Sequence, residues 1–224
     1  MSFVSLVSLR KIVSTASLLT LLACSTSFNL ARGAEQQQPY LVIRQASKIS
    51  PMLGATTSEK DLIAYFGAKN VKRQTVNLAE GETSNGTVIF PNDPKKRVTF
   101  IWKDVKKRDL PEVIRIEDQP SLWRLPNEIT TGTSLIELEK LNGKIFKMSG
   151  FDWDYGGNVL SWNNGKLESL LKSKSGKVSA TASLAPAKGK NSPEDLSGDK
   201  EILSSNPSMH KLNPVVVTLS ILAP

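Results

Sequence analysis

Thr57-Ser58-Glu59-Lys60-Asp61-Leu62-Ile63-Ala64-Tyr65-Phe66-Gly67 is echoed downstream by Thr133-Ser134-Leu135-Ile136-Glu137-Leu138-Glu139-Lys140-Leu141-Asn142-Gly143. Thr, Ser, Leu and Gly recur at identical spacing, and an acid stands three residues after each Ser. A Ser with an acid three positions on is the reciprocal capping pattern of a helix start, and a glycine after the apolar stripe supplies its stop. Leu62, Ile63 and Phe66 give the first helix its apolar side, and Leu135, Leu138 and Leu141 give the second. Each helix is only two to three turns, too short to stand alone, and must pack on a sheet. Self-similarity of this kind predicts one supersecondary unit used twice.

Strand signals follow each helix. After the first come Val71–Leu78, Thr87–Phe90, Arg97–Trp102 and Val113–Ile116, separated by Gly81–Gly86 and Pro91-Asn92-Asp93-Pro94. After the second come Ile145–Trp153 with a bulge at Gly150, Val159–Trp162, the strictly alternating Val178–Leu184, and Val215–Leu222 with Val217, Leu219 and Ile221 on one face. Trp102 and Trp162 each follow a hairpin return, which extends the match between copies. The expectation is an α+β fold of two tandem repeats, 40–118 and 119–224, each a short helix followed by an antiparallel sheet of about four strands. Residues 185–212, rich in Pro, Gly, Ser, Lys and Asp, read as a long polar loop within the second repeat.

The first 23 residues have the layout of an export signal, which a later cleavage would extend to residue 33. Arg10 and Lys11 precede an apolar run, Ile12–Ala23, that is too short for a permanent span of roughly 20 residues. Cys24, the one cysteine of the chain, directly follows Leu21-Leu22-Ala23, as the lipid-accepting cysteine of a bacterial lipoprotein does. Two readings stand: lipidation at Cys24, or cleavage after Ala31-Arg32-Gly33 with Cys24 discarded. Residues 24–39 read as a flexible spacer, and Tyr40–Ile43 as a short strand. Both readings place the protein outside the cytoplasm, periplasmic or lipid-anchored to a bacterial outer membrane. With no second cysteine the exported domain has no internal disulfide and rests on its core; a domain of about 190 residues buries roughly 70% of its unfolded surface.

The chain carries a net charge of +8, and removing residues 1–33 leaves +5. Lys95-Lys96-Arg97, Lys103 and Lys106-Lys107-Arg108 cluster around one hairpin. They read either as an attraction to anionic headgroups or an acidic partner, or as a solvated turn guarded by lysines. Nucleic acid does not fit an exported chain of this modest charge.

At Phe151-Asp152-Trp153-Asp154-Tyr155, two carboxylates near a turn are the type of group that holds calcium or serves as an acid–base pair; they are also what a solvated hairpin end looks like. His210 is the sole histidine, too few for a zinc site or triad. Asn85-Gly86-Thr87 is a glycosylation sequon, of no use behind a bacterial leader. Trp102, Trp123, Trp153 and Trp162 offer large contact area, as a binding floor or as core. The partner-binding candidates are therefore Trp102, Trp123, Asp152, Trp153, Asp154, Tyr155 and Trp162, with no catalytic, cofactor-binding or metal residue assigned.

Gly132-Thr133-Ser134 through Gly143, with Trp153-Asp154-Tyr155, resembles the small outer-membrane-assembly lipoproteins of the SmpA type and their tandem-repeat relatives, the secreted β-lactamase inhibitor proteins. The first copy has Leu53-Gly54 and Thr57-Ser58 with a two-residue offset, and no Trp-x-Tyr. Lys69 and Lys144 stand where the family often has proline. The resemblance covers about residues 50–168 and implies protein–protein binding over a sheet face, without catalysis or cofactor. Three functions are weighed: a non-enzymatic envelope protein binding a protein partner, a secreted inhibitor of an extracytoplasmic enzyme inserting 185–212, and a hydrolase using Asp152 and Asp154.

Overall fold

Both helices start as their local sequence dictates. The structure, a computed structural model, describes residues 53–54, 56–125, 128–172 and 179–223. In α1 (Glu59–Phe66) the Ser58 hydroxyl accepts from the Asp61 amide while the Asp61 carboxylate accepts from the Ser58 amide; in α2 (Leu135–Asn142) Ser134 and Glu137 do the same. The preceding threonine has its own job. Thr57 Oγ1 accepts from the Gly54 amide at 3.0 Å, and Thr133 Oγ1 accepts from the Thr130 amide at 3.0 Å. Each thereby fixes the turn that feeds the cap. Gly67 and Gly143 close the helices at φ of 81° and 70°, where a side chain is strained.

The strands are β1 (Val71–Asn77), β2 (Thr83–Ile89), β3 (Val98–Trp102), β4 (Pro111–Ile116), β5 (Lys147–Ser149), β6 (Val159–Ser161), β7 (Ser179–Ala185), β8 (Glu201–Leu203) and β9 (Val215–Leu222). Two further α-helices, α3 (Lys166–Leu170) and α4 (Pro207–Leu212), and short 3-10 turns join them. The fold is mixed α+β with antiparallel pairing, in a six-stranded sheet ordered β1-β2-β3-β4-β9-β7 and a three-stranded sheet ordered β6-β5-β8. An isolated bridge between Asn158 and Ser183 and a bond from the Leu184 amide to the Gly157 carbonyl tie the β5–β6 hairpin to β7.

Register fixes which side chains face the helices. Arg73, Thr87, Phe100, Ile114, Ile221 and Ala180 form one row across the large sheet. The apolar members join Leu62, Leu135 and Leu138 in a single core that also takes Leu167 of α3 and Met209 of α4. The opposite row is Lys72, Val88, Thr99, Arg115, Ser220 and Thr181. That face has only a small satellite cluster of Val76, Val88 and Ile101, and all four helices place their buried apolar residues in the main core instead.

Several expectations change. β2 begins at Thr83, so Asn85-Gly86 lies inside a strand and not in a turn. A β-carbon on Gly86 would stand 2.8 Å from the Phe100 carbonyl oxygen and 2.9 Å from Val76 Cγ2, so the glycine is there for close approach. Gly86→Ala should cost about 1–3 kcal/mol by overpacking, read as a lowered urea midpoint at unchanged slope.

The strand expected over Ile145–Trp153 is cut to Lys147–Ser149. At Gly150 the chain packs against the Gly198 backbone, and Phe151 then bonds to Leu196 and Gly198. Residues 185–212 are not a structureless loop. They carry a 3-10 turn at Glu194–Leu196, then β8, which pairs with β5, then α4. Four spaced apolar residues, Leu196, Ile202, Met209 and Leu212, are buried and hold the segment down.

In β9 the buried set is Val216, Leu219 and Ile221, because a bulge against Ser183 and Leu184 shifts the alternation and turns Val217 partly outward. Trp102 ends the third strand after α1 and Trp162 follows the second strand after α2, so the stretch between helix and tryptophan holds one more strand in the first half. The leader 1–23, Cys24, the spacer 24–39, the strand Tyr40–Ile43 and Val178 lie outside the described residues. Among the described residues no helix is long and apolar enough to cross a membrane.

Candidate functional site

The face of the large sheet that the described helices leave unpacked holds a groove of about 370 Å3. Val76 and Val88 form its floor; Gln74, Asn77 and Thr99 supply neutral polar groups, and Pro91 closes one side. Two arginines flank it. Arg97 donates from Nε and Nη2 to the Pro91 carbonyl and from Nη1 to Asp118 at 3.1 Å. Arg115 donates from Nη2 to the Asn77 carbonyl at 2.8 Å and pairs with Glu117 at 3.2 Å. Both guanidinium groups are thus held by backbone and carboxylate together, which fixes rather than frees them. Strand β1 borders this face as the edge of the sheet, with Lys72, Arg73, Gln74 and Thr75 exposed in succession.

Beneath the start of α1 lies a different arrangement. Glu59, 6% exposed, accepts from Arg73 Nη2 at 2.5 Å, from Arg73 Nε at 3.0 Å and from Thr87 Oγ1 at 2.6 Å. Thr87 Oγ1 in turn accepts from Trp102 Nε1 at 2.9 Å. Arg108, itself 7% exposed, brings Nε to 3.5 Å from Glu59 and donates to Asn85 Oδ1 and to the Val105 carbonyl. Burial alone pushes the Glu59 carboxyl up, but the bonds from Arg73 and Thr87 and the charges of Arg73 and Arg108 outweigh it. The group is held below its ordinary range.

The residues singled out from sequence fall in separate places. Trp102, Trp123 and Trp162 are 2%, 4% and 6% exposed and belong to the core, so they present no surface to a partner in the folded chain. Trp123 donates Nε1 to the Lys96 carbonyl and meets Phe66 edge-on, while Trp162 packs on Phe146. Asp152, Trp153, Asp154 and Tyr155 stay together at the turn between β5 and β6. Asp152 adopts φ of 65° and accepts from Ser197 Oγ at 2.5 Å and from Ser192 Oγ at 3.4 Å. Trp153 donates to the Gly150 carbonyl and meets Tyr155 edge-on. The Tyr155 hydroxyl donates to Glu80 at 2.8 Å, which raises the phenol's pKa and ties this turn to the β1–β2 hairpin.

Among the described residues no three side chains of the metal-ligating types converge. His210 sits on α4, not in a loop, with Nε2 2.8 Å from Glu139, whose other oxygen accepts from the buried Ser204 hydroxyl at 2.5 Å. The carboxylate stands between imidazole and hydroxyl, an order that orients a helix rather than activates a nucleophile. The basic residues also separate: Lys95-Lys96-Arg97 precede β3 and Lys103 to Arg108 follow it, at opposite ends of a strand about 17 Å long.

Sequence reasoning gives no site role to Glu59, Arg73 and Arg115, and meets Thr87 only in a sequon and Arg97 and Arg108 only in the basic cluster. One signal exists for Glu59: it is the charged member of a pair whose counterpart is Leu135. No family model, no curated protein and no solved structure matches the chain.

Proposed function

We propose that the chain is a non-enzymatic exported envelope protein that binds another protein on the face of its large sheet that the described helices leave unpacked. The observation that carries this reading is the groove itself, walled by Gln74, Asn77, Arg97, Arg115 and Glu117 on the sheet face that the described helices do not pack against. Fixed arginines beside neutral hydrogen-bonding groups suit a polar partner surface.

The finer architecture belongs to the same proposal. α1 followed by β1-β2-β3-β4 reads as one copy, and α2 followed by β5, β6, β7 and β9 reads as the other. The copies then meet at the β4–β9 pair, with β8 and α4 as an insertion before the last strand. The matched caps, threonine turns and terminal glycines support that duplication. So does the likeness of the second copy to the SmpA-type lipoproteins, whose implied mode is binding over a sheet face.

Enzyme inhibition by insertion of 185–212 has less support, since β8 is paired to β5 and Leu196 is fully buried. Nothing in the geometry favours a hydrolase at Asp152 and Asp154, because Asp152 is occupied by two serine hydroxyls.

Affinity capture from envelope extracts tests the proposal. The wild-type chain should retain a stoichiometric partner, and Arg115→Glu, which reverses charge on the groove wall, should lower retention by about tenfold or more at unchanged circular dichroism. A partner held equally by both proteins would place the interface elsewhere, and capture of nothing by either would count against binding.

A further inference from the structure

Glu59 holds in α1 the position that Leu135 holds in α2, the first residue after a capping serine. The surroundings also match, since the Glu59 amide donates to the Arg108 carbonyl at 2.9 Å and the Leu135 amide donates to the Pro214 carbonyl at 2.9 Å. Leu135 is fully buried in the core, whereas Glu59 reaches the sheet through charge. We propose that Glu59 is an acid-operated latch: its protonation frees α1 from the sheet while α2 remains docked.

Four elements converge on this carboxylate. β1 supplies Arg73, β2 supplies Thr87, β3 supplies Trp102 through Thr87, and the β3–β4 turn supplies Arg108, which is itself tied to Asn85 of β2. On its own helix the neighbouring charges are Lys60 and Asp61, both exposed, and Asp61 is engaged with Ser58. Asp104, near Arg108 in the turn, is engaged with the Lys106 and Lys107 amides.

A proton on Glu59 removes the charge facing Arg108, whose Nε has no hydrogen-bond partner and whose side chain is almost fully buried. That leaves an uncompensated buried cation, which is costly. The rest of α1 is held by the hydrogen bond from the Glu59 amide to Arg108, by buried Leu62 and by Phe66, half-buried against Phe90 and Trp123, while Lys60, Asp61, Ile63, Ala64 and Tyr65 are exposed. α2 instead buries Leu135, Leu138 and Asn142, and Asn142 donates to the Lys144 and Trp162 carbonyls and accepts from the Leu167 amide.

The sign is fixed by a lowered carboxyl. Its contribution is complete above the ordinary glutamate value of 4.5 and is lost as pH falls through the lower folded value. Asp61 and Glu137 are also held low by their capping bonds, but they weaken the two helices alike. Glu139 of α2 faces Ser204 and the half-exposed His210, with no buried cation beside it.

Hydrogen exchange of the full chain, from about pH 7 to about pH 3 and corrected for intrinsic rates, tests the latch. Peptides of 59–66 should lose protection as pH falls below the ordinary glutamate value, at a slope of at most about tenfold per pH unit, ahead of peptides of 135–142. Glu59→Gln should release α1 already at neutral pH. The pair Glu59→Leu with Arg108→Met, apolar like the second unit, should keep α1 docked throughout; it also decides the matter if Glu59→Gln does not fold. Loss of protection in both helices together, wild-type protection in Glu59→Gln, or acid release of α1 in the double variant would each overturn the proposal.

Discussion

Phe100→Ala is expected to lower stability by about 3–5 kcal/mol and to leave little folded protein near physiological temperature. Phe100 is fully buried, stacks on Trp102 at 5.6 Å between ring centroids, and lies in the row between Thr87 and Ile114. Its removal opens a cavity where the first four strands meet the helices. That wall consists of paired strands on both sides and cannot collapse to refill the space. The control is Tyr65→Ala on the outer side of α1, 64% exposed, which should stay within about 0.5 kcal/mol of wild type. Chemical denaturation of both variants, followed by tryptophan fluorescence, gives the comparison. Equal midpoints would mean that the core is not centred on β3.

Phe100 and Tyr65 also mark the boundary of what is legible in the sequence. Whatever is decided within four or five residues reads directly. Ser58 with Asp61 and Ser134 with Glu137 form their caps locally, and Gly67 and Gly143 take positive φ locally. The alternating strand Ala180 to Leu184 and the apolar run Val98 to Trp102, buried along its whole length, are equally plain as strands. Local chemistry misleads where tertiary packing overrules it. Gly86 looks like a turn residue and is a strand residue because Phe100 and Val76 leave no room for a β-carbon.

Residues 185–212 look like a loop because polar residues dominate, yet four apolar side chains suffice once β5 offers an edge. Val217 reads as inward-facing because a bulge is invisible in one strand alone. The candidate sites behave similarly. Trp153 and Tyr155 remain at a turn, but Trp102, Trp123 and Trp162 enter the core, and the pairing of Arg97 with Arg115 across the groove is illegible because the two are 18 residues apart, one before β3 and one within β4.

The second large effect concerns Glu59→Ala, for which we expect a loss of about 3 kcal/mol at neutral pH. Breaking a buried ion pair by deleting one partner costs more than the pair itself contributes, because the surviving charge stays desolvated. Here the survivor is Arg108, whose side chain is 8% exposed. The value sits at the lower end for such deletions because Arg108 keeps its bonds to Val105 and Asn85. Arg73, with 62% of its side chain exposed, returns to water at almost no cost, so Arg73→Ala should lose no more than about 1 kcal/mol. Thr87 and Trp102 would be left sharing one hydrogen bond where the intact network has two, a further small loss. Urea denaturation at neutral pH should therefore order the variants as wild type, Arg73→Ala, then Glu59→Ala, with the interval between the two variants larger than the first. At acid pH, where Glu59 is protonated in every protein that retains it, wild type should converge on Glu59→Ala. Persistence of the neutral-pH gap in acid would show that the loss comes from packing of the side chain and not from its charge.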